Sequence, residues 1–458
     1  MRRRPVRESP AVKVPWGWLE WVVIGQTMIP ALLFVPGLSP IRTASRIASY
    51  GITLIAGAMI YWSGRGRPGA ESYPPRPWLI FVVAWLALSI FHPNSESLLS
   101  ATAQTMLYVA VLAPAFWAPA ALISSAQIGR LMAILFLCNS LSSVVGIGQV
   151  FRPETFNPPV IPAMSNMFKG EDLIYEGAGG RRIMRPCGLT DTPGGVSPAG
   201  AMAAIVGMCW ALRPIAFWKR LGSVGLAFAG VAVLYYTQVR SAMVMVGVCL
   251  IALTILLLIQ RNYRAAGLLG LGSTVLVLGA LAWVAATAGD AIVQRFATLL
   301  GSDPGKLYQS SRGGYVEHAL GEVLWDYPLG YGLGWWGMVN SNFGNVMRPS
   351  PVWVEVMVPA WVYDGGFPLL LAYVGAVVVA MANSLRIALT SRDKDLAFWA
   401  AVVVATNLSI LASCMSFITF VAPIGIQFWL MSAALHAADL RVNSGRPRPR
   451  SKRAQSAA

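Results

Sequence analysis

Apolar runs of roughly bilayer-crossing length recur along this chain, separated by short segments where arginine, lysine, glycine and proline collect. A helix that crosses a bilayer needs ~20 mostly apolar residues. By that criterion twelve runs are candidates: 17–37, 45–62, 77–91, 98–117, 131–150, 197–213, 220–238, 241–260, 266–288, 366–386, 396–414 and 418–437. The second and third are short. Arg46 has to snorkel from the second, and the third reaches full length only with Pro77 and His92 included. Two connecting segments are long, 151–196 and 289–365, and contain Trp, Tyr, Phe, Gly and Pro rather than a low-complexity tract, so both are read as ordered. Within the second, residues 312–325 carry Val316, Ala319, Leu320 and Val323 at helical spacing, which predicts an amphipathic helix lying at the membrane interface. The pattern predicts an all-α polytopic membrane protein with about 12 transmembrane helices and two long outside loops.

Composition agrees with the pattern. Of 458 residues 56% are hydrophobic and 12% charged, too little charge to cover a soluble surface of this size. A net charge of +16 on a soluble chain would suggest nucleic acid. Here the positive charge sits in the gaps between apolar runs and at both tails, so no nucleic-acid partner is expected. With the N-terminus inside, most of the 35 lysines and arginines fall in cytoplasmic segments, and most of the rest lie in the two long loops, where the charge rule has little force. Both termini are therefore expected in the cytoplasm. The chain divides into a basic N-terminus (1–16), a single membrane domain (17–440) and a basic, disordered tail (441–458) lying against anionic lipid heads. Glu20 and Gln26 interrupt the first apolar run and no small-x-small cleavage site follows, so it reads as a retained membrane helix.

Few residues carry an obvious chemistry. Cys138, Cys209, Cys249 and Cys414 fall in or at the edge of apolar runs and read as small buried hydrophobes; Cys187 lies in a polar loop. His92, His318 and His436 form no metal-ligand spacing. Asp393-Lys394-Asp395 matches the D-x-D of sugar-nucleotide enzymes, but stands in a short cytoplasmic loop and reads as a solvated charge run. Gly330, Gly332, Gly334 and Gly337 open no βαβ unit and read as a tight turn with aromatic packing. Asn139 and Gln149 read as interhelical hydrogen-bonding residues. Arginines on the outside face are more informative, because basic residues are least expected there. Arg181, Arg182 and Arg185 precede the sixth run, Arg240 stands alone between the seventh and eighth, and Arg312 opens the amphipathic helix. A guanidinium is always charged and presents a planar fork suited to phosphate or carboxylate. Converging on one interfacial cavity, such groups would hold a diphosphate attached to a lipid.

Four stretches together resemble the bacterial O-antigen polymerase and O-antigen ligase superfamily, integral-membrane glycosyltransferases acting on lipid-linked glycans. RPCGLTDTPGG (185–195) looks like that family's Arg-x-x-Gly…Pro loop, and TQVRSAMV (237–244) like its Ser-Arg-small motif. SSRGGYVEHALGEVLWDYPLGYGLG (310–334) is similar to its Arg-led helix and Pro-Leu-Gly-x-Gly turn, and VWVEVMVPAWVYDGGFPLLLAYVG (352–375) to the helix ending in acidic-x-Gly. The resemblance implies that Arg240 and Arg312 hold a lipid diphosphate, with Arg185 in support. It departs where ligases place a His-Asn pair, because Trp353, Val354 and Glu355 stand there instead. A polymerase reading suffers less from that loss than a ligase reading.

The expected activity is polymerisation of polyprenyl-diphosphate-linked oligosaccharide repeat units into an exopolysaccharide or O-antigen, at the periplasmic face of the bacterial cytoplasmic membrane. Outside that membrane there is no nucleotide-sugar supply, so the glycosyl donor arrives already activated. Arginines in a low-dielectric site can stabilise the departing diphosphate without metal or cofactor. The acceptor hydroxyl needs a base, for which Glu355 and His318 are the leading candidates and Glu317 and Asp364 the alternatives. Expected partners are the lipid-linked glycan, the acceptor glycan, membrane lipids, and chain-length regulator and flippase proteins. A ligase passing glycan to lipid A core is the alternative within this class. A polytopic transporter or lipid flippase is the alternative outside it, but that would favour mid-membrane charges and a repeated architecture.

Overall fold

The computed structural model describes residues 15–35, 37, 42–63, 72–158, 174–176, 182–190, 192–288, 305, 308–344 and 354–444. These form an all-α membrane protein, apart from an antiparallel pair of three-residue strands, β1 (Ile174–Glu176) and β2 (Arg182–Met184). The long helices are α1 (Trp18–Met28, continued as a 3-10 turn over Ile29–Phe34), α2 (Arg42–Trp62), α3 (Arg76–Ser89), α4 (Leu98–Ala121) and α5 (Ala126–Phe151). After the hairpin come α6 (Ser197–Ala211), α7 (Phe217–Thr237), α8 (Arg240–Ile259) and α9 (Tyr263–Ala288). A continuous helix over 309–326 (α10) and the short α11 (Gly337–Phe343) precede α12 (Met357–Thr390), α13 (Lys394–Ser413) and α14 (Pro423–Ser444).

A helix thus lies at each apolar run read from the sequence. Among the described residues, seven are long and apolar enough to cross a membrane by themselves: α4, α5, α7, α8, α9, α12 and α13. Their outer faces carry large apolar side chains in the open, such as Leu271 at 68% and Ile251 at 63% exposure, a surface that only a hydrocarbon environment accommodates. The final helix begins at Pro423, later than its apolar run, because 414–422 form turns closed by Thr419–Val421. It continues to Ser444, and Arg441 within it donates to the Ile123 carbonyl (3.1 Å). The basic stretches 1–14 and 445–458 lie outside the described residues.

With hydrocarbon on both sides of the comparison, helices associate through close packing of small residues rather than through exclusion of water. Helices α6 and α7 show this most plainly. A Cβ on Gly200 would stand 2.9 Å from the Gly230 carbonyl, and one on Gly207 2.9 Å from the Ala227 methyl. At 15 residues α6 measures roughly 22 Å, short of a ~30 Å hydrocarbon core, and it is almost wholly enclosed by its neighbours.

Helix connections gather at two ends of the bundle. At one, Arg213 holds Asp395 through paired 2.7 and 2.8 Å bonds and lies over the Phe398 and Trp399 rings. Asp393 caps α13 by accepting from the Asp395 and Leu396 amides. Both carboxylates of the D-x-D are therefore engaged in fixing this turn. Arg130 pairs with the buried Glu20 at the same end, and Gln127 joins them (3.1 Å). The other end carries the long loops.

Candidate functional site

The loop end is organised by a break in α12. Gly366 has φ 60° and ψ −150°, a conformation that L side chains rarely adopt, and a Cβ there would run into the Pro328 carbonyl. Pro368 then falls in the first turn of the resumed helix, where its missing N–H is no loss. Into the break fits the glycine-rich turn. Gly330, Gly332, Gly334 and Gly337 all have positive φ, and a Cβ on Gly330 would stand 2.8 Å from the Gly365 backbone. The amides of Tyr331 and Gly332 donate to the Tyr363 carbonyl, and Phe367 N–H donates to the Pro328 carbonyl (2.9 Å). Ser100 Oγ donates to the Gly334 carbonyl (3.0 Å) and Trp335 Nε1 to Asn94 O (2.6 Å), stitching the turn to the start of α4.

Asp364 sits at the centre of this arrangement, 1% exposed. Its carboxylate accepts from Tyr108 Oη (2.8 Å), Trp336 Nε1 (2.9 Å) and Gln104 Nε2 (3.2 Å). With these donors in place it acts as a structural anchor, joining α4, the glycine turn and α12. The other three proposed bases lie elsewhere. Glu317 pairs with Gln309 on its own helix. His318 Nδ1 is 2.9 Å from Glu322 one turn on, with both side chains more than half exposed. Glu355, just before α12, receives the Arg312 Nε at 3.4 Å.

Arg312 lies in a π-helical turn, Gln309–Gly313, at the start of α10, and a second such turn spans Ala319–Val323. Helical turns of this kind are rare and concentrate at functional positions. The face that holds α10 down is Ala319, Val323 and Leu324, packed with Val362 and Phe367 of α12. Leu320, read from the sequence as part of the same apolar face, is instead exposed, together with Trp325 and Leu329. The helix thus buries one stripe against protein and offers a second outward. Arg312 and Glu355 remain 39% and 38% exposed. Tyr308 stands close by: burial pushes its phenol up in pKa, and the Arg312 guanidinium opposes that shift.

The other arginines gather around the 182–197 segment. Gln149 of α5 clamps it: Oε1 accepts from the amides of Cys187 and Gly188 (both 2.8 Å), and Nε2 donates to the Gly188 carbonyl (2.9 Å). Ser142 Oγ accepts from the Leu189 amide (3.1 Å). Gln149 thus positions the loop that follows Arg185, while Asn139 turns back to the Leu135 carbonyl of its own helix. Arg185 is half-buried beside Tyr175, whose phenol burial pushes up and Arg185 pulls down. Arg240 is the first residue of α8, directly after a turn in which Gln238 takes a left-handed φ of 56°. That turn touches the same loop, since a Cβ on Gly194 would lie 3.5 Å from Val239. Arg181, the Arg182 side chain and Trp353 lie outside what is described.

One residue at this end went unread as a candidate. Arg46, interpreted as a snorkelling charge in a short span, donates through Nη2 to Thr192 Oγ1 (3.2 Å) in the Arg185 loop. Arg42 lies one helical turn before it on α2. Their (i, i+4) spacing at the end of an apolar run was the available signal. The structure therefore pairs Arg312 with Glu355, sets Val239, just before Arg240, beside the Arg185 loop, joins Arg46 to that loop, and leaves His318 exposed. Set beside known proteins, the chain matches no family model and no curated protein.

Proposed function

We propose that the protein is a membrane glycosyltransferase that polymerises polyprenyl-diphosphate-linked oligosaccharide repeat units into an exopolysaccharide or O-antigen. The observation that carries this reading is the Arg312–Glu355 pair, a fixed cation and a carboxylate 3.4 Å apart on a partly open surface at the loop end. In this mechanism the guanidinium fork of Arg312 binds the diphosphate, with Arg185 of the 182–197 loop and Arg240 at the start of α8 supplying further positive charge. The acceptor sugar hydroxyl attacks the anomeric carbon of the donor. The bond from that carbon to the diphosphate oxygen breaks, the negative charge passes to the carrier diphosphate, and the hydroxyl proton passes to Glu355. Charge developing on the leaving group is met by donors already oriented, which is where such sites gain most of their rate.

The finer topology belongs to the same proposal. Twelve helices cross the bacterial cytoplasmic membrane, with the short α1, α3 and α6 completed by their neighbours, both termini in the cytoplasm and the 151–196 and 289–365 segments in the periplasm. Deleting the gene in its source organism and analysing carrier-linked glycans tests the reading. Single repeat units should accumulate on the carrier. Long polymer still attached to the carrier would instead assign ligase activity, and unchanged glycolipids would remove the glycosyltransferase reading.

A further inference from the structure

Between α2 and α4, roofed by α11, runs an apolar groove of about 220 Å³. Its walls include Ile47, Gly51, Leu54, Met106, Leu107 and Phe343. It opens sideways: Ile47 and Met106, on opposite walls, are each 47% exposed. The loop-end mouth is different in character. There Thr43 Oγ1 donates to Asn342 Oδ1 (3.2 Å), and the Arg46 guanidinium reaches both Met338 Sδ of the groove lining (3.9 Å) and Thr192 of the Arg185 loop (3.2 Å). Gly51 stands in the groove wall with nothing within 4 Å of the position a Cβ would take. Glycine is disfavoured in a helix interior, and here it leaves the groove open.

We propose that this groove holds the polyprenyl chain of the diphosphate carrier, entering sideways from the bilayer, with Arg46 marking where chain gives way to diphosphate. The inference rests on the glycosyltransferase reading and extends it by assigning the apolar half of the substrate. Two observations select this occupant. Away from Thr43 and Asn342 at the mouth the walls are apolar but for Tyr50, whose hydroxyl donates to the Val421 carbonyl, while the mouth is cationic, which fits an amphiphile with an anionic head. The cation at the mouth is bonded to the same loop that carries Arg185 and approaches Val239, the residue before Arg240, so a chain in the groove delivers its head to the Arg185 loop rather than to bulk solvent.

The test uses the full-length protein in nanodiscs with a polyprenyl diphosphate carrying a diazirine in its isoprenoid chain. After photolysis, adducts should map to 47–54 and 103–107. Gly51→Phe, which fills the groove from a position with open space around it, should lose most of that labelling and raise KM for the lipid-linked donor more than it lowers kcat. Gly270→Phe on α9, also at an unobstructed position, should leave both unchanged. Adducts confined to other helices, or undiminished by Gly51→Phe, overturn the proposal. So does a diazirine-bearing phosphatidylglycerol that labels the groove equally and is not displaced by the carrier. If chain extension proceeds normally while the groove stays unlabelled, the groove assignment alone fails. If the protein neither binds the carrier nor extends glycan, the underlying reading fails with it.

Discussion

Arg312 and Glu355 stand 43 positions apart and meet at 3.4 Å, each partly open to solvent. An exposed ion pair contributes little to stability, ~0–1 kcal/mol, so breaking it should leave the fold intact. Its value lies in geometry, a planar fork held beside a carboxylate. Arg312→Ala should therefore slow chain extension by roughly 10²–10³ while the protein stays in the membrane at normal abundance. Arg312→Lys should restore only part of the rate, because an ammonium cannot reproduce the fork. Glu355→Gln should be as damaging, whereas His318→Gln should be nearly silent; comparing rates of the two glutamine variants separates the candidate bases. In the proposed mechanism guanidinium groups supply the positive charge, so extension should survive EDTA, and restoration by Mg²⁺ after loss would contradict that assignment. The arginines themselves were legible in the sequence, because a charge at the edge of an apolar run is conspicuous. Arg46 was less so: its spacing from Arg42 is a local signal, but its bond to Thr192 spans 146 positions and only the fold brings the two together.

Among the elements, the break in α12 matters most. Gly366 in its left-handed-side conformation and the buried Asp364 together fix the glycine turn and, through it, the start of the helix on which Glu355 depends. Replacing Gly366 with Ala forces a Cβ against the Pro328 carbonyl and should cost ~1–3 kcal/mol, read as a lower Tm in detergent. Asp364→Ala leaves the Tyr108, Trp336 and Gln104 donors without an acceptor at a cost of ~1–3 kcal/mol, and should disturb activity through position rather than chemistry. By contrast Asp393→Ala removes only a helix cap, ~1 kcal/mol, at the far end of the bundle and should leave extension unchanged. The turn was legible from four glycines within eight positions, because positive φ is what glycine alone takes easily. The anchor was not. Two of the donors to Asp364 lie 256 and 260 positions away, and an isolated aspartate in a Trp- and Tyr-rich stretch reads equally well as a base.

At the scale of the whole molecule the apolar runs determined where helices form, because a bilayer leaves the backbone no other way to satisfy its N–H and C=O groups. Burial was less legible: the enclosure of α6 follows from glycines on two helices meeting face to face, which hydropathy does not register. Orientation can be checked by cysteine labelling with an impermeant reagent in a chain whose native cysteines are removed. A cysteine replacing Asn157 should react from outside and one replacing Ser451 only after permeabilisation; the reverse would invert the bundle and place the loop-end arginines in the cytoplasm. The central claim is the proposed one, that the Arg312–Glu355 site polymerises glycan on a lipid diphosphate. The most direct measurement is to reconstitute the purified protein with a defined polyprenyl-diphosphate oligosaccharide, no lipid A present, and resolve product length. A ladder of carrier-linked multiples from the wild type, absent with Arg312→Ala, is the predicted result. No extension of the donor, or transfer only once lipid A core is supplied, would contradict it.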